Sequence, residues 1–132
     1  MNPFKRSLHI PGVTHGPVPI PMGARVGPLI ASSGIAGKDP ATDKVVADPA
    51  EQARLAFANM EALVRAGGGT TADIARVTVF VKDDSVRPHV NAAWLAMFPD
   101  ADDRPARHTQ VVDLQHGMVV QLEMLAFVQE RR

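Results

Sequence analysis

The chain of 132 residues has no cysteine, and only 5% of its residues are aromatic. Without cysteine there is no disulfide, no thiolate nucleophile and no Cys-ligated zinc or iron–sulfur centre. An excess of either charge is missing too, since 14 Lys and Arg balance 14 Asp and Glu. A neutral balance lacks the electrostatic footprint of a protein whose main partner is nucleic acid or an anionic membrane. No apolar run nears the roughly 18–20 residues that span a bilayer. The first ten residues, with Lys5, Arg6 and His9, lack the continuous apolar stretch of a signal peptide. The expectation is a soluble, cytoplasmic chain with no nucleic-acid and no membrane partner.

The length fits one domain over residues 1–132. A chain of this size buries about two-thirds of the surface it exposes when unfolded, enough for one core but hardly for a private cavity as well. An enclosed pocket would need a neighbouring subunit. Of the 10 Gly and 11 Pro, 13 fall in the first 40 positions, and Pro17, Pro19 and Pro21 predict an irregular arm over residues 1–24. A strand is expected from Arg25 to Ser33, then a turn at Lys38–Asp43. Asp48-Pro49-Ala50-Glu51 reads as a helix start with a capping box, Ala53, Ala56, Met60, Leu63 and Val64 as the buried stripe, and Gly67-Gly68-Gly69 as the stop. Arg76–Lys82 is β-branched and reads as a strand, and a second helix follows from Asp84 or Ser85 to Phe98. Two further strands, Arg107–Leu114 and Met118–Val128, are separated by a turn at Gln115–Gly117. This order predicts an α+β fold with two helices on one face of a mixed sheet of about six strands.

The last strand carries the most information. Met118, Val120, Leu122, Met124, Ala126 and Val128 form an apolar face suited to lie under the helices. The opposite face mixes Val119, Leu125 and Phe127 with Gln121 and Glu123. A solvated face seldom displays Val, Leu and Phe together, so this side is expected to meet another subunit.

Three segments together resemble the RidA/YjgF family of reactive-intermediate deaminases. They are Arg76-Val-Thr-Val-Phe-Val-Lys-Asp83 followed by Val90-Asn91 and Phe98, then Pro105-Ala106-Arg107 before a strand, then Gly117-Met-Val-Val-Gln-Leu-Glu-Met-Leu-Ala126. Ser33-Gly34, Asp39-Pro40-Ala41-Thr42 and Gln52 extend the similarity over about residues 16–128. The resemblance implies a chorismate-mutase-like fold, a homotrimer with sites between subunits, and hydrolysis of small carboxylated enamines or imines to 2-keto acids and ammonia without metal or organic cofactor. The candidate substrates are 2-aminoacrylate-like or aminomuconate-like. It assigns substrate binding to Arg107, Asn91 and Thr109.

The departures concern catalysis. Gln121 stands where the resemblance implies the water-positioning acid, with Glu123 two residues on; Val18 replaces an aromatic, Ile35 a Gln, and His108 a small residue. Gln donates and accepts hydrogen bonds but is no base. Glu123, Gln121 and His108 are therefore the candidates for ordering water. Each candidate has a plainer alternative: Arg107 paired with Asp102 or Asp103, Glu123 satisfied across an interface, Asn91 an ordinary residue at a helix start, His108 an interface histidine. If the last two strands form a hairpin, their register decides whether Arg107 or His108 shares the face of Glu123. His15, His108, His116 and Glu123 show no metal-ligand spacing, so no metal site is expected. The rival to a deaminase is a non-catalytic trimer that captures a small carboxylate. Ribonuclease activity is disfavoured by the neutral charge and the lack of a catalytic pair.

Overall fold

The structure, a computed structural model, describes residues 5–130. In chain order the strands are β1 (Ser7–Leu8), β2 (Gly23–Val26), β3 (Leu29–Ser32), β4 (Ile35–Ala36), β5 (Lys38–Asp39) and β6 (Lys44–Val45). Helix α1 (Pro49–Ala66), β7 (Ile74–Val81), α2 (Arg87–Met97), β8 (Ala106–Val111) and β9 (Val120–Phe127) complete the fold. Seven strands make one mixed sheet in the order β1-β2-β3-β9-β7-β8, with β4 also paired to β9, and β5–β6 form a separate hairpin. Neighbours are antiparallel except β7 and β8, which run parallel with α2 as their crossover.

Alternation along β7 and β9 sends Val77, Val79, Val81, Val120, Leu122, Met124 and Ala126 to one face, where they are buried against Ala53, Ala56, Met60 and Leu63 of α1 and Val90 and Trp94 of α2. The fold class is therefore α+β with both helices on that face. The last strand's apolar side lies under them, as its pattern predicted. Helix α1 starts where Asp48 accepts the Glu51 backbone N–H at 3.0 Å, and the chain turns out of it through Gly68 at φ +88°. The Glu51 carboxylate does not close the expected capping box; it forks onto Arg54 instead.

Three expectations are corrected. Residues 25–33 are a hairpin and not one strand, because Gly27 at φ +57° permits a tight reversal before Pro28. The N-terminal segment is more than an irregular arm: β1 extends the sheet, and Leu8, Ile10 and Val13 are buried in the core. The last two strands are not a hairpin, because β7 lies between them. The reversal does occur at residues 115–117, with His116 and Gly117 both at positive φ. Its limbs straddle the end of β7, Val112 N–H donating to the Val81 carbonyl (3.0 Å) and Lys82 N–H to the Val119 carbonyl (2.9 Å).

Two buried amides lock the periphery to α1. Gln52 donates to the carbonyls of Val46 (2.7 Å) and Gly117 (2.9 Å) and accepts the Val119 N–H (2.9 Å). Asn59 donates to the carbonyls of Ala36 (3.1 Å) and Lys38 (3.0 Å).

Candidate functional site

The interposed β7 decides the register. His108, Thr78 and Glu123 lie in one row, Val77 pairs Arg107 and Met124, and Phe80 pairs Gln110 and Gln121. Paired residues point to the same side of a sheet. His108 therefore shares the open face with Glu123, whereas Arg107 and Thr109 belong to the face that carries the helices. His108 and Glu123 stand two strand spacings apart, about 10 Å, so they form no direct pair.

Arg107 reaches α2. Its guanidinium lies 5.3 Å from the centre of the Trp94 ring, and its Nε donates to Thr109 Oγ1 at 3.0 Å. The edge-on Trp94–Phe98 contact, with centroids 4.9 Å apart, fixes that ring. Neither Asp102 nor Asp103 pairs with Arg107, and no carboxylate among the described residues does. Burial strips water from the guanidinium and the neighbouring Arg87 charge repels it, so its proton affinity is below the usual arginine value. Arg87, Asn91 and Trp94 sit at i, i+4 and i+7, on one face of α2. The strand edge beside that face thus presents two cations, an exposed amide and an aromatic platform.

On the other side of β9, Gln121 pairs with Ala36. Its carboxamide lies over Gly34, so close that a β-carbon there would come 2.6 Å from Nε2. A cavity of about 250 Å³ opens here, lined by His15, Gly34, Lys38, His116, Met118 and Gln121. His15 Nε2 is 3.0 Å from the Gly34 carbonyl, which can only accept, so Nε2 carries the hydrogen in that contact. Nδ1 is buried and has no partner among the described residues. The segment before His15 is anchored: Thr14 donates through its N–H (2.9 Å) and hydroxyl to Asp43, and Lys38 Nζ donates to the Thr14 carbonyl at 2.7 Å. These bonds, with Lys38 3.3 Å away, hold the Asp43 carboxyl below its ordinary value of 3.8.

Glu123 occupies neither place. It is exposed in a groove of about 220 Å³ with Ser32, Arg76, Thr78 and Leu125, and it makes no hydrogen bond or ion pair among the described residues. The same face exposes Leu29, Leu125 and Phe127 at 43%, 44% and 52%, an apolar row without cover in the single chain. His108 is exposed as well, with only a long 3.5 Å contact to Gln110.

The sequence candidates therefore separate. Arg107, Thr109 and Asn91 gather at the α2–β8 edge, Gln121 lies in the His15 cavity, and Glu123 and His108 stand on the open face. Sequence reasoning considered His15 only as a metal candidate; neither Trp94 as a platform nor His15 beside Gln121 was foreseen. The Trp94 signal was available in its i+7 spacing from Arg87. That of His15 was not, because the contact with Gly34 depends on how the N-terminal segment folds back. Among the described residues no three His, Asp or Glu side chains converge as metal ligands, and no helix is long and apolar enough to cross a membrane.

Comparisons with known proteins agree with this architecture. The family model described as "Endoribonuclease L-PSP" matches residues 21–128. A 2-iminobutanoate/2-iminopropanoate deaminase of Escherichia coli strain K12 is 36% identical over 110 residues, 82% of this chain and 86% of that protein. A RutC family protein of Haemophilus influenzae is 36% identical over 104 residues, 76% of this chain and 80% of its own length. The crystal structure of the Escherichia coli YjgF gene product superposes with a TM-score of 0.84 at 31% identity, covering 95% of this chain and all of the other. Escherichia coli TdcF with bound serine gives a TM-score of 0.85 at 26% identity, over 95% of this chain and 100% of that one.

Proposed function

The chain belongs to the RidA/YjgF family, within the group described as endoribonuclease L-PSP, and on that premise we propose that it deaminates small carboxylated imines and enamines by hydrolysis. The observation that carries this reading is Arg107: a half-buried guanidinium, stacked on Trp94 and braced by Thr109, with no carboxylate of its own chain to neutralise it. Such a group is prepared for an external carboxylate, which it can hold through parallel charge-assisted hydrogen bonds.

The reaction needs little from the protein beyond placement. An enamine first tautomerises to the imine; water then adds to the C=N carbon, giving a carbinolamine, and the C–N bond breaks to release ammonia and the 2-keto acid. The imine nitrogen takes up the protons that water loses, so the group ordering the water can be an amide. Gln121 is assigned that task, its carboxamide held over Gly34 in the cavity that also contains His15. Glu123 and His108, exposed on the open face, are assigned to contacts between subunits.

Arg107 and Gln121 point to opposite faces of the sheet, so one chain cannot bring both to one ligand. A homotrimer in which each cleft takes Arg107 from one subunit and Gln121 from the next resolves this, and the uncovered row of Leu29, Leu125 and Phe127 supplies the apolar surface for it. No metal or organic cofactor enters the scheme. Ammonia release from freshly generated 2-aminoacrylate or 2-iminopropanoate tests the reading. Hydrolysis well above the buffer rate is expected, and Arg107→Ala should lower kcat/KM about 100-fold, the worth of a charged bidentate contact. Wild type no faster than buffer, with 2-keto acids still bound, would instead establish a carboxylate-capturing trimer.

A further inference from the structure

Of the two arginines at the α2–β8 edge, Arg87 meets the exposed Asp84 and Arg107 meets no carboxylate among the described residues. We propose that Arg87 is a specificity-determining residue, a second anion-binding group beside Arg107 that makes the protein favour imino acids carrying a second carboxylate. The inference rests on the deaminase reading above and names the substrate class of that same edge.

Arg87, Asn91 and Trp94 share a face of α2, and the guanidinium of Arg107 lies over Trp94 at 5.3 Å. Arg87 is therefore about two turns from the aromatic platform, with the exposed Asn91 amide between them. Arg87 Nε donates to Asp84 Oδ1 at 2.7 Å, which leaves the two terminal nitrogens uncommitted; Asp84 is itself 77% exposed. Arg107 spends its Nε on Thr109 and likewise keeps its terminal nitrogens. Each arginine thus has a free pair of donors, and together they meet one carboxylate, Asp84, at the outer end. The charge of Arg87 is felt at Arg107, whose proton affinity it helps to lower. Asp84 meets Arg87 through Nε alone and from an exposed position, so the terminal donors of both guanidiniums are left to an entering anion. A monocarboxylate engages Arg107 alone, whereas a dicarboxylate also reaches the terminal nitrogens that Arg87 keeps beside its bond to Asp84, with Asn91 free to bond a polar atom between.

The test compares ammonia release from 2-iminosuccinate and 2-iminoglutarate with release from 2-iminopropanoate, each generated in situ by an amino-acid oxidase. In parallel, titration calorimetry compares 2-oxoglutarate with pyruvate. The wild type should prefer the dicarboxylic ligands, and Arg87→Gln should shrink the ratio of dicarboxylate to monocarboxylate about tenfold in both measurements. Asp84→Asn, which releases Arg87 from its own carboxylate, should raise the same ratio. A structural role for Arg87 would move both ligand classes together and would give Asp84→Asn no opposite sign. An unchanged ratio in Arg87→Gln, or a wild type that prefers monocarboxylates, overturns the inference. Wild type that binds the dicarboxylate preferentially but releases no ammonia from any imine overturns the deaminase reading and leaves the charge assignment standing.

Discussion

Around Gln121 the polar groups are held by the chain itself: backbone carbonyls receive His15 and Lys38, Asp43 holds Thr14, and Gln52 ties down the turn that forms one wall. At Arg107 the opposite holds. A cation, its cationic neighbour and an exposed amide stand at a strand edge with one hydroxyl and one ring for support. The first region is finished within a single chain and the second is not. On the proposed roles, a group that orders one water needs a fixed position, and its surroundings are tied down by bonds within the chain, with His15 Nδ1 as the buried exception. A group that must capture a charged ligand needs unspent donors, so its surroundings leave them unsatisfied.

The comparison breaks most severely if the two regions never need to meet. Leu125→Glu puts a charge into the exposed apolar row, beside Glu123, where a single chain loses little stability. The expected outcome is loss of assembly by sedimentation and at least a 100-fold fall in ammonia release, roughly the effect of removing Arg107. A variant still assembled and fully active would mean that each chain works alone.

Next in size is Gln52→Leu. Its side chain is fully buried and bonded to two carbonyls and one N–H, and leaving these groups without partners should cost about 3 kcal/mol. Thermal unfolding should fall by about 10 °C. The damage should centre on the cavity wall near His116, with the Trp94 signal in near-ultraviolet dichroism preserved. Equal disturbance at Trp94 would show that the two regions are coupled through α1.

The smallest effect concerns Asp43. Its carboxyl is held below 3.8 in the folded chain, so its stabilisation is complete above the unfolded value and is lost as pH falls through the folded one. With a third of the side chain exposed, Asp43→Asn should cost about 0.5–1 kcal/mol at pH 7. That difference from wild type should shrink once pH falls below 3.8 and disappear below the lowered value of the folded chain. A deficit that persists in acid would trace the loss to geometry rather than to charge.

Much of this was legible in the residues. Helix α1 was readable from Asp48, Pro49 and the triplet of glycines, and the buried side of β9 from its two-residue period. Both signals are local, set by capping and by alternation. What the sequence withheld was the order of strands. Residues 115–117 announce a reversal, but a turn does not say whether its two limbs bond to each other or to a strand between them. That ambiguity concealed which of Arg107 and His108 shares a face with Glu123. For the same reason the split between Arg107 and Gln121, on which the subunit argument depends, emerged only with β7 in its place. The burial of Leu8, Ile10 and Val13 was hidden by the prolines and glycines around them, which mark irregular backbone and say nothing about depth.

The position of β9 in the sheet has a consequence for how the molecule is made. It is the last of the described strands to be synthesised, yet it is the one that hydrogen-bonds β3, β4 and β7. At synthesis rates of about 5–20 residues per second, the earlier strands must wait seconds for their shared partner, with Val77, Val79 and Ile30 covered only by the helices. The chain on the ribosome can gather its helices and hairpins early, but the sheet closes only when this final strand is free to insert between those already made.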